Sequence, residues 1–167
     1  MEVRPEEPGD APAVRRVNEA AFERADEADL VDRLRGQASR YLALVAVDEG
    51  EVVGHVAFSP VTFHPPRPAL SAFGLAPMAV RPDRQRDGVG SALVRAGLAA
   101  CQEAGAGAIV VLGHPDYYPR FGFEPAASHG IGNEYGAPPE AFMVLELAPG
   151  TLGGVSGTAV YDPALAG

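Results

Sequence analysis

The segment 75–91, LAPMAVRPDRQRDGVGS, constrains this chain more than any other. It opens as an apolar strand, continues through Arg81, Arg84 and Arg86, and ends in a glycine-punctuated helix start. Gly88 and Gly90 carry no side chain, so the backbone can approach a ligand closely there. A helix N-terminus at that point presents free N–H groups and a partial positive charge. Together these make a phosphate-type anion site. A surface turn with solvated arginines is the bland alternative, and a bare Gly-x-Gly would favour it. Here the strand before, the helix after and the clustered cations all agree on anion binding.

Two other phosphate loops fit poorly. A dinucleotide loop needs a third glycine where Leu93 stands, and it opens a βαβ repeat rather than following a hairpin. A Walker A loop needs Gly-Lys-Ser/Thr, and the chain has no lysine. The same absence excludes a Schiff-base lysine. With 13 basic residues against 22 acidic ones the net charge is -9, which disfavours nucleic acid and mildly favours cationic partners. The four histidines, His55, His64, His114 and His129, show no paired ligand spacing, so no metal is expected. Cys101 stands alone, which rules out an intrachain disulfide and suits a small core residue. No apolar run reaches the ~20 residues that span a bilayer, and the acidic start MEVRPEEPGD lacks a secretory h-region. A cytoplasmic protein without membrane contact is the expectation.

The 167 residues suit one domain with a sizeable core. A first strand ends near Pro5. Asp10 precedes Ala11-Pro12 as a helix cap, with Val14, Val17, Ala21 and Phe22 at helical spacing. A second helix carries Leu30, Val31 and Leu34 on one face and stops at Gly36. Residues 41–48 and 52–60 read as a hairpin around Gly50, 62–68 as a loop or sheet edge, and 70–80 as a strand. A helix over 88–103 follows, striped by Val89, Leu93, Ala96 and Ala100 and stopped at Gly105. AIVVL at 108–112 suits a buried parallel strand, and 142–147 a last clear one. Val160-Tyr161 would pair on an edge. Exposed edge strands leave room for a homodimer. Pro77 either caps a short strand or marks a bulge that splays strand 70–80 from 108–112. A bulge would leave backbone groups of Met78 and Val80 unpaired, and an amide-rich chain lying in the gap would satisfy them.

These residues resemble the GNAT superfamily of N-acetyltransferases. QRDGVG matches its Gln/Arg-x-x-Gly-x-Gly/Ala loop, MAV its pantetheine-binding strand, and Tyr118-Pro119-Arg120-Phe121-Gly122-Phe123 its Tyr-x-x-x-Gly-Phe element. The stretch GHPDYYPRFGFEPA looks most like the YhbS-like branch. The resemblance implies a mixed α/β fold, a mostly antiparallel twisted sheet flanked by helices. It implies one GNAT domain over 1–150, with a tail over 151–167 packed on it. It implies acetyl-CoA as co-substrate, held by Met78, Ala79, Val80, Gln85, Arg86, Asp87, Gly88, Val89, Gly90 and Ser91. Direct transfer to a primary amine, on a small molecule or a peptide, is the implied reaction. The backbone N–H near Met78 would polarise the thioester oxygen, and Tyr118 would protonate the leaving thiolate. Tyr117 would pack at the end of a helical turn.

The family's asparagine after the fifth strand is missing, with Gly113-His114-Pro115 in its place. Glu27 lies on the second helix, which the resemblance places beside the acceptor cleft, and is the candidate catalytic carboxylate. His55, His114, His129 and a water relay remain open as alternatives for the base. An acyl-CoA sensor without transfer activity would carry the same loop, and a purely structural α/β protein would bind no CoA at all.

Overall fold

The computed structural model describes residues 1–166. In chain order it contains β1 (Glu2–Pro5), α1 (Ala11–Phe22), α2 (Asp26–Gln37), β2 (Leu42–Asp48), β3 (Glu51–His64), β4 (Ala72–Val80), α3 (Val89–Glu103) and β5 (Ala108–Leu112). There follow β6 (Glu124–Pro125), β7 (Ile131–Asn133), β8 (Phe142–Glu146), β9 (Gly157–Tyr161) and α4 (Pro163–Ala166). The strands form one sheet in the order β1-β2-β3-β4-β5-β8-β6. Strand β9 pairs with the far end of β3, and β7 pairs with β9. Only β4–β5 and β7–β9 are parallel.

The β2–β3 turn shows why the hairpin forms where it does. Glu49 and Gly50 both have positive φ, 51° and 79°, which makes a two-residue turn whose twist matches the strands it joins. Strand β3 then runs beyond the 52–60 segment. Its residues Val61 to His64 pair with β9, so of the two readings of 62–68, loop or sheet edge, residues 62–64 are sheet.

Helix α3 covers one face of the sheet, where Leu93 and Val94 pack with Leu44, Val56, Phe58 and Leu75. Its buried stripe is Val89, Leu93, Val94, Gly97 and Cys101, so Ala96 and Ala100 flank the core instead of filling it. Gly97 causes this rotation. A Cβ there would stand 2.5 Å from the Phe58 ring, so the helix seats its bare backbone on that ring. The helix ends as expected at Gly105: Ala106 N–H bonds Cys101 O and Gly105 N–H bonds Gln102 O, both at 3.0 Å.

Helices α1 and α2 cover the opposite face through Val14 and Val31, which pack on Val45. Helix α2 buries Ala28, Val31 and Leu34, with Leu30 only half-buried, and it runs through Gly36 to Gln37. Asp10 does not cap α1. Its carboxylate accepts from Arg4 at 2.8 Å and from the Glu7 N–H at 2.7 Å, so it closes the turn before the helix. Strands β7 and β9 and segment 148–156 cover the rest of this face, over Val61, Ala72, Val110 and Phe142.

Strand β4 carries the bulge. Val56 pairs with Met78 and Phe58 with Leu75, so two steps along β3 answer three along β4. The extra residue falls at Ala76-Pro77. On its other edge β4 pairs with β5 from Ala72–Ala108 only as far as Leu75–Val111. Beyond Leu75, β4 follows β3 alone and a seam opens toward β5.

Candidate active site

The seam presents main-chain groups. The Arg81 N–H donates to Val53 O at 2.8 Å, so residue 81 faces β3. Strand amides alternate in direction, so Ala79 also faces β3, while Met78 and Val80 face the seam. The Val80 carbonyl is taken by the Gln85 side chain at 3.0 Å. No strand partners the remaining groups of Met78 and Val80 on this side. An extended ligand with amides could pair with them as a strand would.

A cavity of about 640 Å³ lies over the seam. Met78, Ala79 and Val80 form one wall, and Gln85, Arg86 and Gly88 a second. Gly90 and Ser91 of α3, Ala21 and Phe22 of α1, and Tyr117 and Arg120 complete it. Because α1 and α3 lie on opposite faces of the sheet, the cavity reaches both faces through the gap. Helix α3 enters it without a side-chain cap, after Gly88 at φ 83°. The first main-chain bond of the helix is Ala92 N–H to Gly88 O, which leaves earlier N–H groups free for an anion. A Cβ on Gly90 would lie 3.3 Å from the Tyr117 hydroxyl and 3.6 Å from Met78 Cε, so the glycine keeps the cavity open.

Of the ten residues expected to hold the cofactor, eight line this cavity. Asp87 points away, 3.6 Å from Arg84. The Val89 side chain is buried under Gly54, which leaves only its backbone for a ligand.

The arginine cluster divides in two. Arg81 is held by Glu51 and Asp83 at 3.0 and 2.6 Å, and Arg84 by Asp48 at 2.7 Å. These pairs tie the loop to the β2–β3 turn and leave little net charge. Arg86 has no carboxylate partner among the described residues. Nor does Arg120, whose guanidinium lies 4.5 Å from the Tyr117 ring centroid and donates to Tyr117 O at 2.8 Å. In a chain of net charge -9, the two cations without a carboxylate partner on this cavity are Arg86 and Arg120. The contribution of Arg120 is not visible in the sequence, where it stands 34 positions from Arg86.

The two tyrosines differ from expectation: Tyr117 lines the cavity, and Tyr118, the expected acid, is not among its lining residues. Tyr117 is not merely packing, for its hydroxyl lies 3.1 Å from Ser91 Oγ. Tyr118 is 7% exposed, its ring set edge-on to Phe123 and against Gly113 at the end of β5. Burial, with the neighbouring Tyr117, pushes its phenol up to about 12, so it stays protonated.

Glu27 does not line the cavity. Its carboxylate is paired with Arg24 at 2.5 and 2.8 Å, which holds its pKa below the usual carboxylate range. His55 is fully buried with both ring nitrogens engaged. Nε2 lies 3.0 Å from Glu6 and Nδ1 3.5 Å from Asn18, so it cannot reach an acceptor. Burial alone would raise the Glu6 carboxyl, but hydrogen bonds from His55 and Arg35 outweigh it and bring it to about 2. His114 is exposed and offers its main-chain carbonyl to the Tyr117 turn. His129 lies 3.6 Å from Glu124. Cys101 is fully buried, and burial raises its thiol to about 12, as suits a core residue. Among the described residues no helix is long and apolar enough to cross a membrane.

Comparison with known proteins agrees with this geometry. Residues 2–126 match the acetyltransferase (GNAT) domain family. The N-acetyltransferase YhbS of Escherichia coli K12 is 41% identical over 162 residues, covering 96% of each chain. The crystal structure of E. coli YhbS in complex with CoA superposes with a TM-score of 0.91 at 39% identity, covering 99% of this chain and 92% of that one. A GNAT acetyltransferase from Brucella melitensis, solved with acetyl-CoA, gives 0.78 at 37% identity, covering 98% and 96%. The mixed α/β sheet, the seam beside β4 and the uncapped helix are thus those of an acetyltransferase, and the chain belongs to the GNAT family.

Proposed function

We propose that this protein transfers the acetyl group of acetyl-CoA directly to a primary amine. One observation carries the proposal: the β4–β5 seam opens onto the uncapped start of α3 between Arg86 and Arg120. The free N–H groups and the two guanidiniums would hold the diphosphate, and the Met78 and Val80 edge the pantetheine amides. That E. coli YhbS was solved with CoA and the Brucella enzyme with acetyl-CoA supports CoA as the ligand.

The neutral amine nitrogen gives its lone pair to the thioester carbonyl carbon, and the carbon–sulfur bond breaks. A main-chain N–H near Met78 stabilises charge on the carbonyl oxygen. The sulfur leaves as thiolate and takes a proton, and the new amide nitrogen loses one. Tyr118 donates the hydrogen bond to the departing sulfur. With its phenol near 12 against a thiol of ~8.5, full proton transfer is uphill, so it acts chiefly by stabilising the thiolate. Glu27, held ionised by Arg24, is a weak base. Arg24 also neutralises its charge, so it takes no part in the transfer, and the amine proton leaves to water.

Thiol release with a panel of amines tests the proposal. Amine-dependent release that falls in Tyr118→Phe is expected. CoA binding without release on any amine would make the protein an acyl-CoA sensor instead.

A further inference from the structure

We infer that a second cleft, between α1 and the β2–β3 turn, binds a small organic acid, one carboxylate on an apolar body, through Arg16. The inference is independent of acetyl transfer.

The cleft holds about 470 Å³. Its floor is the cross-strand pair Val47–Val52, on the face of the sheet that α1 covers. Both valines of this pair are only half-buried. Helix α1 turns Ala13, Val17 and Ala20 toward them. The two alanines carry only a methyl group each, so the helix leaves the pair uncovered. This space is separate from the seam cavity. The adjoining residues Ala20 and Ala21 fall on different cavities, and so do Val80 and Arg81.

Three guanidiniums line the cleft, and two of them are neutralised. Arg4 donates to both oxygens of Asp10, at 2.8 and 3.0 Å. Arg81 is held by Glu51 and Asp83. Arg16 is exposed and, among the described residues, has no hydrogen bond, ion pair or aromatic ring as a partner. Of the 13 arginines, Arg86 alone shares that state. Arg86 lines the seam cavity, where it faces the place of a diphosphate. The two arginines left without a partner thus each line a cavity, and anion capture is open to both.

The surroundings of Arg16 choose the anion. Asp10 and Glu51 line the same cleft, and they repel a dianion such as phosphate more than a monoanion. A carboxylate meets a guanidinium through two parallel hydrogen bonds. Val17, Val47 and Val52 offer nothing to an inorganic ion, but they favour an apolar body that covers them. An aryl or alkyl carboxylate satisfies all of these groups at once.

The test is calorimetry on the CoA-saturated protein, whose seam cavity is filled, with 3-phenylpropionate, 3-phenylpropanol and propionate. The aromatic acid should bind about fivefold more tightly than the alcohol, which lacks the charge. It should bind about tenfold more tightly than propionate, which lacks most of the apolar body. Arg16→Gln keeps this exposed position polar and should weaken the acid about fivefold with the alcohol unchanged. Methyl NMR during the titration should show Val17, Val47 and Val52 shifting, and these signals locate the acid whether or not CoA binds. Absent binding of the acid, equal binding of the acid and either comparison compound, full affinity in Arg16→Gln, or shifts confined to the seam each overturn the inference. None of these outcomes bears on acetyl transfer, which thiol release measures separately.

Discussion

The Tyr117 hydroxyl lies 3.1 Å from Ser91 Oγ, which fastens the turn after β5 to the first turn of α3. Arg120 lies over the same tyrosine ring, so one side chain links the free helix N-terminus to the second cavity cation. The binding wall is therefore assembled from segments more than twenty residues apart.

Tyr117 and Tyr118 should separate binding from chemistry. Tyr117→Phe removes one hydrogen bond, worth about 1 kcal/mol, and should weaken CoA binding several-fold with kcat little changed. Tyr118→Phe should leave CoA affinity intact and lower kcat by about 10²-fold, as loss of one hydrogen bond to charge developing in the transition state does. Steady-state kinetics beside calorimetry distinguishes the two.

Arg86→Ala and Arg120→Ala should each weaken CoA binding about five- to tenfold in dilute buffer and less at high salt, because exposed charges are screened. Arg84→Ala should have a smaller effect, since Asp48 and Asp87 already neutralise that guanidinium. A salt series by calorimetry checks the order. An Arg84 effect as large as that of Arg86 would contradict the division of the cluster.

Alanine is a better helix former than glycine by about 1 kcal/mol, yet Gly97→Ala should destabilise the protein. Its Cβ would meet the Phe58 ring at 2.5 Å, and forced repacking of this kind costs about 1–3 kcal/mol. Urea denaturation of the two proteins measures the sign directly.

Glu6 should make stability fall in acid. Its carboxyl titrates at about 2 when folded, against an ordinary 4.5. The contribution is complete above the unfolded value and lost as pH falls from about 5 toward 2, the direction of a depressed carboxylate. The difference corresponds to about 3 kcal/mol. Thermal denaturation from pH 7 to pH 3 should show Tm falling below pH 5, and Glu6→Gln should flatten that limb.

The sequence exposed features that depend on neighbouring residues. Glu49-Gly50 declares its turn because only certain residues accept positive φ there, and Pro77, which lacks a ladder donor, narrows the choice to a strand cap or the bulge that the β3–β4 register shows. Segment 85–91 points to a ligand-facing loop through glycines next to a helix start, and five of its seven residues line one cavity. Features set by distant contacts stayed hidden. Arg81 and Arg84 look like ligands in a linear reading, but Glu51 and Asp48 neutralise them from another hairpin. Ala96 and Ala100 fit the helical period, yet Phe58 turns the helix onto Gly97. Tyr117 and Arg120 join the cavity only because the turn after β5 lies against α3.

Strand β9 has a consequence for how the molecule is made. Tyr161 pairs with Val61, a hundred residues earlier, so the outer edge of β3 beyond Pro60 stays unpaired until the stretch 157–161 has been made. While the ribosome still holds that stretch, the outer edge of β3 has bare amides and an uncovered Val61 and Phe63. A nascent chain stalled before residue 157 would present that edge to chaperones or to other copies of itself, although β4, α3 and β5 around the seam had already been synthesised.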